Sequence, residues 1–218
     1  MLLYLKQLRI MIMKEYKGID ISKHNKVVSF DAVSKSVDFM ILRAGGNFGG
    51  FYKDSKFESY YNGTRMYNIP CGCYYDAGKE FIGAEKGKAY ADHFMQLMSG
   101  KVFEYPVFLD IEVTPRQYRK FITDAAVVFC RELENKGYFA GIYASDVSGF
   151  KDLLSIERVA PFCKWVARYG NKPSYVKNYA IWQHSSKGSI PGISGPVDLD
   201  ISYKNFPKII KGGHFNGY

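Results

Sequence analysis

Eight short runs rich in β-branched and aromatic residues recur along the chain, and each predicts a β-strand. Two longer segments carry apolar residues at helical spacing and predict helices over residues 84–98 and 116–136. The second segment comes after Thr114 and Pro115 and stops at Gly137, as helices commonly do. The predicted strands are Lys17–Ser22, Phe39–Arg43, Cys71–Tyr75, Val107–Glu112, Phe139–Tyr143, Lys164–Arg168, Tyr179–Gln183 and Val197–Ile201.

The order of these elements predicts the fold class. Strand, helix and strand in succession favour parallel pairing with right-handed crossovers, and eight such strands in one domain predict a closed barrel. The gaps at residues 169–178 and 184–196 are rich in Gly, Pro and Ser, and they are too short for a helix with two loops. We therefore predict an α/β fold, an irregular (β/α) barrel of eight strands with several C-terminal helices missing.

The same pattern divides the chain into three segments. Residues 1–14 (MLLYLKQLRIMIMK) differ in pattern from the rest of the chain and are predicted to be an N-terminal extension or a misjudged start. Residues 15–211 form the predicted barrel, and residues 212–218 a C-terminal tail. In the extension, Lys6 and Arg9 interrupt the apolar stretch and no small-residue cleavage site is present, so we expect no secretory signal.

Carboxylates and aromatic residues end most of the predicted strands. In a β/α barrel the ligand site is built at the C-terminal ends of the strands, so these residues are the candidates for chemistry. Because alternate residues of a strand share a face, Asp110 and Glu112 are expected to point into the barrel mouth together, as are Asp198 and Asp200. The full candidate set is Asp20, Arg43, Tyr74, Tyr75, Asp110, Glu112, Tyr143, Trp165, Trp182, Asp198 and Asp200.

Converging carboxylates have a specific chemical use. They raise one another's pKa, so one can stay protonated near neutral pH and donate a proton while its neighbours remain charged. In glycoside hydrolysis, one carboxyl donates a proton while another acts as a carboxylate. Tyr and Trp rings stack on the apolar faces of sugars. A single Asp-x-Glu pair is a weak signal, but carboxylates at the ends of three strands favour a catalytic site.

Composition and charge narrow the function classes further. The chain has 218 residues, of which 47% are hydrophobic, which excludes a disordered chain, a coiled coil and a collagen-like repeat. No apolar run approaches the roughly 20 residues of a spanning helix, so no stable membrane insertion is expected. The 30 Lys and Arg residues exceed the 21 Asp and Glu residues and give a net charge of +9, which predicts attraction to nucleic acid, anionic lipid or acidic wall polymers.

The cysteines do not predict a metal site or a disulfide framework. Cys71 and Cys73 have one residue between them and no His nearby, which does not match the spacing of zinc ligands. Cys130 and Cys163 are isolated, so all four are expected to be buried free thiols. We predict neither a metal nor a cofactor.

Several motifs resemble the glycoside hydrolase family 25 lysozymes, the Chalaropsis-type muramidases that are common as bacteriophage endolysins. The resemblance runs from about Tyr16 to Lys208 and keeps the family's order of motifs. The matching segments are KGIDISKHN, VDFMILRAG, IPCGCYY, YPVFLDIE, GIYAS, KWVARY and IWQHSSKGSIPGISGPVDLDISY.

The resemblance implies hydrolysis of the β-1,4 bond between N-acetylmuramic acid and N-acetylglucosamine in peptidoglycan. By the matching positions, Glu112 is the general acid/base, and Asp110, Asp20 and Asp198 form a supporting acidic cluster. The family implies retention of configuration, with either the substrate's N-acetyl group or Asp110 as the nucleophile.

Two residues depart from the family pattern. Asp76 stands where a small or aromatic residue is usual, and Asp200 where an Asn is common. The first departure bears on the contacts of a substrate subsite. The second adds another charge beside Asp198.

The expected partners are peptidoglycan glycan strands and the anionic wall surface, not nucleic acid, and the oligomeric state is left open. An endolysin-like protein would stay in the host cytoplasm until released to the wall, with secretion as the alternative. A chitinase-like glycosidase is the first competing hypothesis, but residues 105–109 lack the Asp residues that precede a chitinase Asp-x-Glu. A non-catalytic carbohydrate-binding barrel is the second, and the presence of Glu112 argues against it.

Overall fold

The computed structural model describes residues 14–218, so all but the last residue of the predicted extension at 1–14 lies outside the described residues. The strands are β1 (Tyr16–Ile21), β2 (Lys26–Val27), β3 (Phe39–Asn47), β4 (Phe51–Lys53), β5 (Cys71–Asp76), β6 (Val107–Asp110), β7 (Ala140–Ser145), β8 (Cys163–Ala167), β9 (Ile181–Gly188), β10 (Ile193–Ser194) and β11 (Val197–Ser202). The helices are α1 (Phe30–Ser34), α2 (Phe57–Met66), α3 (Ala84–Met98), α4 (Arg119–Asn135) and α5 (Phe206–Gly212).

Eight strands close into a barrel, which confirms the predicted fold class. Strands β1, β3, β5, β6, β7, β8 and β9 pair in parallel in that order, and β11 closes the sheet between β9 and β1. The last strand departs from the expected parallel arrangement, because β11 runs antiparallel to both of its neighbours. No helical crossover lies between β9 and β11 in the structure, so the chain returns directly and reverses its direction.

The helices cover only part of the barrel, as the sequence predicts. Helix α3 has the expected bounds, and α4 begins at Arg119 after a single 3-10 turn at Arg116–Tyr118. Within the described chain, residues 168–180 between β8 and β9 contain no helix. A side chain organises this loop instead, because the buried carboxylate of Asp146 accepts hydrogen bonds from the backbone N–H groups of residues 174–176.

Strand alternation separates two hydrophobic clusters. The outward residues of the strands pack under α2, α3 and α4 and form the larger cluster. The inward residues fill the barrel itself, where Phe108 and Trp165 lie with ring centroids 5.2 Å apart and Phe39 stacks on Tyr105 at 4.2 Å. The interior is therefore a packed core below the strand ends, as in other β/α barrels.

The segment 212–218, predicted as a tail, packs against the barrel floor. The side chain of Asn216 is fully buried, where its amide donates to the Tyr105 carbonyl and its oxygen accepts from the Phe139 N–H. All four cysteines are free thiols, and Cys163 is the one that is half-buried rather than buried. None of the described helices combines the length and the apolar character needed to cross a membrane.

Candidate active site

Six carboxylates line the barrel mouth, and Asp76 is one of them. Asp20 lies near the end of β1, Asp110 ends β6, and Asp198 and Asp200 lie on β11, opposite Asp20 and Gly18 in the register. Strand β6 stops at Asp110, two residues earlier than predicted, but the Ile111 N–H still donates to the Tyr143 carbonyl. The backbone therefore keeps its direction and carries Glu112 to the exposed rim beside Asp110.

A glutamine connects opposite walls of the mouth. The Gln183 amide nitrogen donates to Asp20 Oδ2 over 2.7 Å, and the Gln183 oxygen accepts from the hydroxyls of Tyr143 at 2.8 Å and Tyr169 at 3.2 Å. The Tyr143 hydroxyl also lies 3.4 Å from Glu112 Oε1. A series of polar contacts thus runs from the Asp20 carboxylate of β1 to the carboxyl of Glu112.

The mouth favours protonated carboxyls on the Glu112 side. Desolvation and the charge of Asp76 raise the pKa of Glu112, while the Tyr143 hydroxyl acts in the opposite direction. Burial, and then the neighbouring Glu112, raise the pKa of Asp110, whereas Arg43 lowers it. This wall therefore retains a proton at pH values where an exposed carboxyl would have lost it.

The β1 and β11 carboxylates form the opposite wall. Burial and the charges of Asp200 and Asp198 raise the pKa of Asp20. Burial also raises the pKa of Asp200, although its Oδ1 accepts a hydrogen bond of 2.7 Å from Trp165 Nε1. Desolvation raises the pKa of the half-buried Asp198. A buried cluster of three carboxyls with few donors cannot be fully ionised at low cost.

Arg43 and Asp76 also lie at the mouth, and each has a hydrogen-bond partner there. Arg43, on the inner face of β3, donates from Nε to the buried Asp54 at 2.7 Å. Asp76, at the end of β5, pairs with Asp110 across the sheet and accepts a hydrogen bond of 3.1 Å from the Tyr52 hydroxyl. Asp76 is therefore part of the mouth.

The predicted aromatic residues divide between the two faces of the barrel. Tyr74 and Tyr143 point inward toward the mouth. Trp165 also points inward but is 2% exposed, with its ring 4.4 Å from that of Tyr143, so it packs beneath the mouth instead of offering a face to a ligand.

Tyr75 and Trp182 are corrections to the predicted binding set. The ring of Tyr75 lies outside the barrel against Phe94, and its hydroxyl is 2.9 Å from His93 Nδ1. Trp182 points away from the inward Gln183, and its Nε1 donates to the Arg168 carbonyl. Each residue is adjacent in sequence to an inward one, and strand alternation turns it to the other face.

Four residues of the mouth are additional to the predicted set. Asp76 comes two residues after Tyr74, so strand alternation already predicts that it faces the mouth. Gln183 ends a predicted strand, which is where the ligand site is expected. Tyr52 on the short β4 and Tyr169 in the loop after β8 belong to no periodic run, and only the tertiary structure brings them in. Tyr169 lines a surface cavity of about 360 Å³ together with Glu112 and Arg168.

Desolvated carboxyls with raised pKa values make the mouth suited to proton transfer. Over residues 14–218, no three His, Cys, Asp or Glu side chains are grouped so that they could hold a metal ion. Inward carboxyls at the ends of barrel strands, with the pKa of the rim carboxyl Glu112 raised, are the arrangement of a glycoside hydrolase.

The chain belongs to the glycosyl hydrolases family 25, whose sequence profile matches residues 19–193. This match confirms the family resemblance that the strand motifs predict. The matched region begins within β1, includes β6 and the loop carrying Glu112, and ends just before β11.

Named relatives agree with the family assignment. The chain is 32% identical over 186 residues to the autolytic lysozyme of Clostridium acetobutylicum, a match that covers 84% of this chain and 55% of that protein. The chain thus spans about half the length of this relative. The crystal structure of the CTP1L endolysin aligns with a TM-score of 0.77 and 28% identity, over 90% of this chain and 70% of that one.

A third similarity shows the fold alone. The modular autolysin LytC from Streptococcus pneumoniae, solved in complex with a synthetic peptidoglycan ligand, aligns with a TM-score of 0.76 and 21% identity. The alignment covers 86% of this chain and 46% of that one.

Proposed function

We propose that this protein is a lysozyme that hydrolyses the β-1,4 bond between N-acetylmuramic acid and N-acetylglucosamine in bacterial peptidoglycan. Membership of glycosyl hydrolases family 25 and similarity to an autolytic lysozyme and to an endolysin support this substrate class. The observation that carries the proposal is the position of Glu112, exposed at the rim and beside the buried Asp110.

Glu112 serves as the general acid/base. Its carboxyl is partly desolvated and lies near Asp76, and both effects favour the protonated form that a leaving sugar oxygen requires. After bond cleavage the resulting carboxylate takes a proton from the attacking water. Tyr143 contacts the same carboxyl and fixes its orientation.

Asp110 orients the substrate's N-acetyl group, which acts as the nucleophile in a reaction that retains configuration. Its Oδ1 atom is buried and has no hydrogen-bond partner in the described chain. An acetamido N–H is a suitable donor for that oxygen, and the bond would turn the acetyl oxygen toward the anomeric carbon. Formation of a cyclic intermediate would strengthen this hydrogen bond as positive charge develops on the nitrogen.

The remaining residues hold the sugar and the acids. Asp20 and Asp198 accept hydrogen bonds from sugar hydroxyls, and Gln183 keeps Asp20 in place. Tyr74 and Arg43 lie on the inner faces of β5 and β3 and contact the glycan from the other side of the mouth. Asp200 and Trp165 act through their mutual hydrogen bond, which supports the β11 wall from below.

The first prediction tests Glu112 directly. Glu112→Gln removes the transferable proton while keeping the size of the side chain, so we expect hydrolysis to fall by at least about 100-fold. The measurement is release of reducing sugar from purified peptidoglycan, with mass spectrometry of the fragments. Muramic acid at the new reducing end identifies a muramidase.

Glu85→Gln is the matched control, because Glu85 is exposed in the first turn of α3, away from the mouth. It should keep the unaltered rate. Full activity of Glu112→Gln would contradict the assignment of the acid, and N-acetylglucosamine at every new reducing end would contradict the proposed bond.

A further inference from the structure

A cavity of about 550 Å³ lies away from the carboxylate mouth and is lined by four lysines. Lys164 belongs to β8, Lys172 and Lys177 to the loop before β9, and Lys204 lies two residues after the end of β11. No Asp or Glu is among the described residues that line it. We call this cavity the lysine pocket.

The four ammonium groups lack acidic partners. None of them forms an ion pair with a carboxylate in the part of the chain that the structure describes. Lys164 is the clearest case, because it is only 7% exposed and its Nζ donates just to the carbonyls of Ala160 and Phe162. Burial lowers its pKa, which an arriving anion would reverse.

The location of the lysine pocket is a result of the missing helices. Lys164 lies on the outer face of β8, as does Val166, whereas β3, β6 and β7 have helices packed against them. Helices are absent between β8 and β9 in the described structure, so loop residues instead of a helix lie over this part of the barrel wall. Lys164 therefore occupies a position that a covering helix would require to be apolar.

Hydrogen bonds hold the loop that carries two of the four lysines, so the lysine pocket can serve as a binding site. Asp146 holds residues 174–176 by their backbone N–H groups, and this fixes the loop from which Lys172 and Lys177 project. Lys172 Nζ lies 5.7 Å from the ring centroid of Tyr203. The Tyr203 hydroxyl is buried and has no partner among the described residues, which leaves a further donor in the same cavity.

We propose that the lysine pocket binds the phosphate groups of an anionic, polyol-phosphate polymer of the bacterial wall. Lysine ammonium groups act as point charges, which suits the three-dimensional arrangement of phosphate oxygens. Three of the lysines are exposed, so a polymer can cross the cavity without threading into it. The inference rests on the proposed action at the wall, and it adds a second binding site at the opposite end of β8 from the mouth.

The aromatic residues of the pocket favour a polymer without bases. Binding of single-stranded nucleic acid depends on open aromatic faces on which bases stack. Here the rings of Tyr179 and Tyr203 pack edge to face at 5.7 Å, and Lys172 covers Tyr203. Phe162 is 3% exposed and lies under Arg131. The pocket therefore offers charge without a stacking platform.

The test compares two triple variants of the full chain. Lys172→Gln, Lys177→Gln and Lys204→Gln together remove the exposed charges of the pocket. The control is Lys56→Gln, Lys79→Gln and Lys136→Gln, three exposed lysines without ion pairs in the described structure that lie outside the lysine pocket. Both variants lose the same net charge, so non-specific attraction falls equally in the two.

The measurement is the affinity for purified poly(glycerol phosphate) at low salt. We expect the pocket variant to bind about 10- to 100-fold more weakly and the control variant to stay within about threefold of the unaltered protein. Equal losses in both variants, undiminished binding by the pocket variant, or no binding by the unaltered protein would each overturn the proposal.

Two further arms separate other sources of phosphate. Single-stranded DNA and vesicles of phosphatidylglycerol are offered at the same phosphate concentration. Tighter, pocket-dependent binding of either would replace the wall polymer as the occupant. Hydrolysis of a short soluble glycan of alternating N-acetylmuramic acid and N-acetylglucosamine should be equal in all three proteins. If the unaltered protein did not hydrolyse this glycan, the proposed function would be contradicted, while the binding result would still stand.

Discussion

At the scale of single residues, the pKa of Glu112 depends on the neighbouring Asp76. Asp76 accepts hydrogen bonds from the Tyr52 hydroxyl and from the Gly78 N–H, which hold its carboxylate in the mouth. After desolvation, the charge of Asp76 is the strongest influence that raises the pKa of Glu112. Asp76 thus keeps the Glu112 carboxyl protonated to a higher pH than desolvation alone would.

The second prediction concerns this charge. Asp76→Asn removes it and keeps the shape, so the pKa of Glu112 should fall. The protonated acid is then lost at lower pH, and the alkaline limb of the kcat/KM profile should move down by up to about 1 pH unit. A pH–rate profile on soluble glycan measures the shift.

Asp92→Asn is the control for this profile, because Asp92 pairs with Lys88 on the surface of α3. Its profile should match that of the unaltered protein. An unmoved or upward-shifted limb in Asp76→Asn would show that Asp76 does not control the acid.

The residue type alone does not show which side chains face the mouth. Tyr74 and Tyr75 are chemically the same, yet one faces the mouth and the other packs under helices α3 and α4. Trp182 and Gln183 divide in the same way. The strand period separates each pair, and an aromatic residue on the helix-covered face has no access to a ligand.

At the scale of elements, the contact between α3 and α4 depends on a glycine. A Cβ added at Gly87 would lie 2.3 Å from the Ala125 carbonyl oxygen, closer than such atoms can approach. The neighbouring atom belongs to a helix backbone, so the whole of α4 would have to move. Gly87 therefore sets the distance between the two helices that cover β5 and β6.

The third prediction concerns that distance. Gly87→Ala gains helix propensity, but the clash with a backbone atom outweighs the gain, and we expect a net destabilisation of about 1 to 3 kcal/mol. Urea unfolding followed by circular dichroism gives the free energy. Gly212→Ala is the matched control, since no atom lies within 4 Å of its added Cβ. A Gly87→Ala protein as stable as the control would contradict the close packing.

Element positions were more predictable than element ends. The apolar period of α3 matches its observed bounds, because a buried stripe must recur at helical spacing. The short helices α1, α2 and α5 were absent from the sequence prediction. Two of them, α1 and α5, have five and seven residues, too few to establish a period.

At the scale of the whole molecule, the barrel floor is completed by the last described residues. Asn216 bonds through its side chain to Tyr105 and Phe139, and through its backbone to Phe103 and Gly137. It adopts a left-handed backbone angle with φ of 54°, a conformation that Asn tolerates better than most residues. This one side chain joins the loops that precede β6 and β7.

The fourth prediction tests that junction. Asn216→Ala leaves a buried N–H and a buried carbonyl without partners, and we expect the free energy of unfolding to fall by about 2 to 4 kcal/mol. Asn135→Ala at the exposed end of α4 is the control and should change stability little. Equal stability of the two variants would show that the floor does not depend on Asn216.

Charge is also organised at this scale. The acidic mouth and the lysine pocket lie toward opposite ends of β8 and β9, so one surface of the barrel is acidic and another strongly basic. The net charge of +9 is a sum over the whole chain, so it does not show that one surface is acidic and another basic. The distance between the two keeps the lysine charges from lowering the pKa values of the mouth carboxyls.

The sequence by itself determined the eight strands, the two long helices, the missing late helices and the carboxylates at the strand ends. These features are local, because a strand or helix that buries one face must place apolar residues at regular intervals along the sequence. The tertiary structure alone decided the reversal of β11, the entry of Tyr52 and Tyr169 into the mouth, and the lysine pocket. Each depends on contacts between residues far apart in the chain, and no period along the sequence records which distant elements will meet.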